Sequence, residues 1–259
     1  MKIGFCAFEA SPLSSVNIGS GQIHINFNHQ LLNCFIDPGS LAGLKTFGIE
    51  LASAHPFQIS GITQETAVLG IPVKDWGFAA GYNSLGNKLY RETTFSLMVG
   101  KKFFGQMAIG TSLSYYELHI VNYGSAGTIG LNASLSYNIL SNWILVTSFR
   151  NINAPRIGSS GEKLPQVVYT GFSAKVNKNV KIQGAWEQDM EFQGAIKFGI
   201  MSNFLNHLTV SAGYVSYPAQ ICAGLQLTLK NLSINYAVSV YQNIGRMSSQ
   251  LGIGIRIHH

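Results

Sequence analysis

Residues 127 to 139, GTIGLNASLSYNI, alternate without a break: Ile129, Leu131, Ala133, Leu135, Tyr137 and Ile139 are apolar, while Thr128, Gly130, Asn132, Ser134, Ser136 and Asn138 are small or polar. A period of two marks a β-strand with two unlike faces, because successive Cβ atoms point to opposite sides of a sheet. The pattern recurs late in the chain. Ile221, Ala223, Leu225, Leu227 and Leu229 oppose Gln220, Cys222, Gly224, Gln226 and Thr228, and Leu251, Ile253, Ile255 and Ile257 oppose Gln250, Gly252, Gly254 and Arg256.

From residue 44 onward the chain reads as about fourteen such segments separated by turn residues. They span 44–53, 63–73, 76–84, 90–101, 105–120, 126–139, 143–152, 166–176, 180–189, 193–201, 208–216, 220–229, 232–242 and 247–257. Every second connection is a tight polar turn, such as PVKD at 72–75, NKN at 177–179 and KN at 230–231. The others are longer, among them AHPFQISGI at 54–62 and NAPRIGSSGEKLP at 153–165. An even strand count puts both termini at the tight-turn end of an up-and-down arrangement. Two segments are irregular: 143–152 is apolar on both faces, and the pair Tyr115–Tyr116 suggests a bulge where the phase slips.

Alternation fits a soluble β-sandwich or a membrane barrel, and the composition of the polar face separates them. A wetted sheet uses Lys, Glu and Arg. Here charged residues are 11% of the chain, against roughly 25% in soluble domains, and the polar face is mostly Gly, Ser, Thr, Asn and Gln. No run of about eighteen apolar residues occurs, so a membrane position requires a closed barrel rather than helices. The aromatics Trp76, Tyr82, Tyr90, Tyr137, Trp143, Tyr169, Trp186, Tyr214 and Tyr241 fall toward strand ends, as in the girdles of outer-membrane barrels. The expected fold is therefore all-β: a closed antiparallel up-and-down transmembrane β-barrel, with bacterial outer-membrane lipid around it. Fourteen strands close with a diameter of roughly 28 Å, too wide for such small side chains to fill. Something must plug it, and with the strands beginning at 44 the expected division is an N-terminal segment, 1–43, and the barrel, 44–259. Expected lumen charges are Arg150, Lys175, Lys181, Glu187, Lys197 and Arg256, with Lys197 close enough to pair with Glu187 across a hairpin at 190–192.

Other function classes find little support. The formal charge is +6, but the basic residues are dispersed, which argues against nucleic acid. Cys6, Cys34 and Cys222 show neither a zinc pattern nor a disulfide framework. The seven histidines (His24, His29, His55, His119, His207, His258 and His259) lack metal-ligand spacing, and no carboxylate pair is nominated for acid–base work, so no cofactor, metal or catalysis is expected. The start MKIGFCAFEASPL is either a truncated export signal or the mature N-terminus.

Three motifs carry a resemblance. DPGSLAGL at 37–44 is similar to an NPAGLA box before a first barrel strand, with Asp37 and Gly39 where Asn and Ala are usual. WGFAAGYNSLGNKLYRETTFSLMVGKKF at 76–103 is similar to a WGxGxGY strand, its loop and the following strand, and RNINAPRIGSSGEKLP at 150–165 to an N-x-x-x-P loop with an LP pair. Through these, residues 17–176 resemble the PorV/PorQ-like outer-membrane barrels of the FadL-like fatty-acid-transporter superfamily. The resemblance implies a fourteen-stranded outer-membrane barrel with residues before 44 partly inside it, as a hatch partly plugging the lumen. It also implies a non-enzymatic, porin-like protein acting as a protein-binding component in type IX secretion or surface assembly; more distant relatives admit hydrophobic small molecules. For the first role, Pro56, Phe57 and Ile59 of the loop 54–62 are the expected partner-binding residues. For the second, the lumen is the expected route.

Overall fold

The computed structural model describes residues 7–10, 12–25, 30–204 and 207–257. The expectations for Cys6, His29, His258 and His259 lie outside the described residues.

Fourteen strands close into one antiparallel barrel. In chain order they are β1 (Phe47–His55), β2 (Thr63–Val73), β3 (Trp76–Gly86), β4 (Tyr90–Phe103), β5 (Met107–Ile120), β6 (Gly124–Leu140), β7 (Trp143–Arg150), β10 (Val167–Lys175), β11 (Val180–Asp189), β12 (Ala195–Phe204), β13 (Leu208–Val215), β14 (Gln220–Leu229), β15 (Leu232–Tyr241) and β16 (Met247–Ile257). Each pairs with its sequence neighbour, and β1 closes on β16 with Phe47 opposite Ile257 and His55 opposite Ser249. Closure leaves no strand edge free to pair with another chain. Between β7 and β10 the chain leaves the wall and forms a small hairpin, β8 (Arg156–Ile157) with β9 (Glu162–Lys163).

The two faces sort as the alternation demands. Ile129, Leu131, Leu135, Tyr137 and Ile139 are exposed on the outside of β6, and Gly130, Asn132 and Ser134 are buried toward the inside. Exposed Leu and Ile on nearly every strand make the outer wall apolar, as hydrocarbon contact requires. No helix among the described residues is long and apolar enough to cross a membrane.

The structure corrects three sequence expectations. Pairing runs unbroken through Tyr115 and Tyr116, with Tyr115 outside and Tyr116 inside; the register shift falls instead between Asn138 and Leu140. Tyr169 is 1% exposed on the inner face, Tyr241 also turns inward, and Tyr90 lines the cavity and donates its hydroxyl to the inner-face Glu92, so none of the three belongs to the girdle. The connection after Asp189 is wider than three residues, because strand pairing resumes only at Ala195.

Inside the wall lie the described residues that precede β1. They hold one short helix, α1 (Ser15–Gly19), capped by the Ser14 hydroxyl, and 3-10 turns at Leu31–Phe35 and Pro38–Gly43. Their contacts are with inward-facing strand residues. Leu31, Leu32, Cys34, Phe35 and Leu41 pack against Ala52, Val68, Ala79 and Met98; Ile23 and Ile25 pack against Val146, Tyr169 and Ala185. The second cluster explains why β7 is apolar on both faces.

Glycine makes this approach possible. Gly77, Gly100 and Gly110 are cross-strand partners in one row, and a Cβ on any of them would collide with the backbone of Pro38–Leu41. Gly199 and Gly213 form a second row beneath Ser20 and Gly21. These residues are small so that main chain can lie directly on the wall.

Candidate ligand cavity

At the longer-loop end, above the N-terminal segment, the barrel holds a cavity of about 820 Å³. This is within the usual size of small-molecule sites, about 300–1,000 Å³. Its lining draws on distant parts of the chain: Leu13, Ile18 and Gln22 below, and Phe57, Leu85 and Tyr241 among the residues around the wall and rim. Strand parity puts Ala54, Leu85 and Tyr241 inward at the last turn of their strands.

The loop residues expected to bind a partner are here. Pro56, Phe57 and Ile59 all line the cavity. The Phe57 ring lies 4.6 Å from that of Tyr241, and its backbone N–H donates to Ser248 Oγ at 2.8 Å. Pro56 and Phe57 are half-buried, and Ile59 is 38% exposed.

Polar groups gather on one side. Lys197 Nζ lies 2.9 Å from Glu187 Oε2 and 3.5 Å from the Gln22 carbonyl. Gln22 Nε2 donates to Gln220 Oε1 at 2.8 Å. The pair forms because β11 and β12 set Ala185 opposite Lys197, which leaves Glu187 as its diagonal neighbour on the same face. His24 is buried beside Tyr169, whose hydroxyl accepts the His24 backbone N–H at 2.9 Å. Burial, reinforced by the Lys197 ammonium, pushes the His24 imidazole down to about 3, so this ring brings no charge to the cavity.

The six charges expected in the lumen divide between the two ends. Arg150, Glu187 and Lys197 lie toward the loop end, where Arg150 acts electrostatically on both His24 and Glu187. Lys175 and Lys181 are cross-strand partners at the tight-turn end, with Lys181 buried and Lys175 exposed. Arg256, also at that end, lines a smaller polar cavity of about 240 Å³ together with Asn203, Gln226 and Ser233. Sequence reasoning missed Leu13, Ile18, Ile62, Leu85 and Tyr241. For Leu85 and Tyr241 the available signal was a large, mainly apolar side chain at an inward position near a strand's loop end; Leu13, Ile18 and Ile62 lie off the strands and carry no such signal.

A closed fourteen-strand antiparallel barrel with an apolar outer wall and an internal cavity is an architecture consistent with the outer-membrane type. No protein-family model and no curated protein matches the sequence. Among solved structures, the chain is similar to the toluene transporter TbuX of Ralstonia pickettii, with a TM-score of 0.72 and 10% identity over 97% of this chain and 100% of that one. It is similar to the monoaromatic hydrocarbon channel CymD, with a TM-score of 0.73 and 10% identity over 98% of this chain and 100% of that one. A FadL homologue of Pseudomonas aeruginosa gives a TM-score of 0.68 and 10% identity over 95% of this chain and 98% of that one. At such identity the likeness establishes a shared fold.

Proposed function

We propose that this protein sits in the bacterial outer membrane and passes small hydrophobic molecules, as a FadL-like transporter or channel. The observation that carries the reading is the apolar cavity of about 820 Å³ at the loop end, floored by Leu13 and Ile18 of the N-terminal segment. That end faces outward in bacterial barrels. The fold it shares with hydrocarbon transporters supports the same reading. The N-terminal segment, residues 1–43 with their described part seated on the two glycine rows, acts as the hatch that separates this cavity from the tight-turn end.

Binding of N-phenyl-1-naphthylamine, a neutral apolar fluorophore, tests it. The purified barrel is expected to bind the dye saturably, and cells carrying the protein in their outer membrane to take it up faster than cells without it. Dye fluorescence that rises without saturation, and uptake equal in both cells, would sink the reading.

A docking role for Pro56, Phe57 and Ile59 in a PorV/PorQ-like secretion or surface complex is the lesser reading. It rests on the exposure of Ile59 and on the motifs in residues 17–176. The half-buried Pro56 and Phe57, turned to the cavity, favour a wall over a docking knob. A pull-down from native membranes with 54–62 intact and then deleted decides it: unchanged partners count against docking.

A further inference from the structure

We infer that Glu187 makes the cavity selective for apolar molecules whose head group donates a hydrogen bond, a hydroxyl foremost, and that it turns away apolar carboxylates. This rests on the transport reading above and names the ligand class for the same cavity.

The two members of the ion pair are unequally accessible. The Lys197 side chain is 3% exposed, enclosed between Glu187 Oε2 and the Gln22 carbonyl, whereas Glu187 keeps 31% of its side-chain surface open. A head group arriving from the apolar part of the cavity therefore meets a carboxylate, with the ammonium behind it. A hydroxyl can donate to that carboxylate, and a hydrogen bond to an ionised acceptor is about twice as strong as a neutral one. A second carboxylate has no proton to donate and suffers like-charge repulsion at the same distance.

The remaining lining deepens the bias. Among the described residues its charged side chains are Glu9, Glu187 and Lys197, an excess of one negative charge, and none of the lining residues is an arginine that could grip an anion with a fork of donors. Gln22 donates to Gln220, and the two amides add polarity without charge. Reaching Lys197 would require an anion to displace Glu187 from a 2.9 Å contact.

The test uses the full chain in amphipol, loaded with N-phenyl-1-naphthylamine and titrated separately with decanol and with decanoate at a pH where the acid is ionised. Decanol is expected to displace the dye at a concentration at least about tenfold lower than decanoate, and Glu187→Gln to shrink that gap to about threefold or less. If heat-modifiable migration shows that Glu187→Gln does not fold, the ratio in the unaltered protein decides alone. Equal displacement by the two compounds overturns the selectivity but leaves the apolar cavity standing. Dye that binds but is displaced by neither compound overturns the ligand class, and absence of dye binding overturns the transport reading with it.

Discussion

Glu50, on the inner face of β1, accepts the backbone N–H groups of both Leu31 and Leu32, at 2.6 and 3.1 Å through the same oxygen. A carboxylate of the barrel wall thus satisfies two amides at the start of a 3-10 turn, groups that have no partner within the turn itself. The turn's apolar side chains then pack on Val68, Ala79 and Met98.

Glu50→Ala leaves two buried N–H groups unpaired, at a cost of about 1–3 kcal/mol each. Amides 31–35 are expected to exchange hydrogen at least about tenfold faster, while strand amides of the wall such as those of β14 keep their protection. Glu50→Gln, which retains an acceptor oxygen, should fall between. Equal exchange in all three proteins would show that packing alone holds the turn.

The glycine row Gly77–Gly100–Gly110 gives a second expectation. Valine suits a strand better than glycine, so Gly110→Val should leave the barrel folded. Its Cβ, however, would land on the backbone of Pro38 and Gly39. The variant should therefore lose its seat for residues 37–43, read as greater ion conductance in planar bilayers. Unchanged conductance would separate this row from any sealing role.

How much of this was legible in the sequence follows from what a period of two reports. It distinguishes the faces of a strand, so the outward rows of β6, β14 and β16 and the strand number are plain from residues such as Ile129 and Leu225. It is silent on what lies against the inner face. By period alone Gly77, Gly110 and Gly213 are small residues of an inner face, whereas in the structure they are seats for main chain. The segment before 44 has no period of its own, so its path cannot be read from pattern. Parity did bring Lys197 to Glu187, because a hairpin register links them locally. The Gln22–Gln220 bond spans 198 residues and has no local trace.

Asp37 should make the seat of the second 3-10 turn depend on pH. Its carboxylate accepts from the hydroxyls of Ser134 at 2.6 Å and Ser136 at 3.1 Å. Burial pushes the group above its ordinary value of 3.8, outweighing the hydrogen bonds from Ser134 and Ser136 that pull it down. A carboxyl raised in the folded state holds more protons there than when released. Its contribution is full below 3.8 and is lost as pH rises through the folded value. Exchange at Gly39 and Ser40, corrected for intrinsic rate, should accelerate across that window, and Asp37→Asn should flatten the profile. An acceleration that survives in Asp37→Asn would assign it to another group.

The cavity itself is testable by filling it. Ala54 is buried on the inner face at the loop end of β1 and contributes to the cavity wall. Its cross-strand partners are Gln64 and Gln250, so pairing on both sides holds the position firmly. Ala54→Trp adds an indole to this wall, and the open volume beside it gives the ring somewhere to go without overpacking, which in a filled core costs typically about 1–3 kcal/mol. The barrel should thus keep its heat-modifiable migration, while N-phenyl-1-naphthylamine binding weakens by at least about tenfold. A variant on the tight-turn cavity, Ser233→Trp, lies at the other end of the wall and should leave dye binding as it was. Loss of binding in both variants, or in neither, would mean that the dye reports on something other than the loop-end cavity.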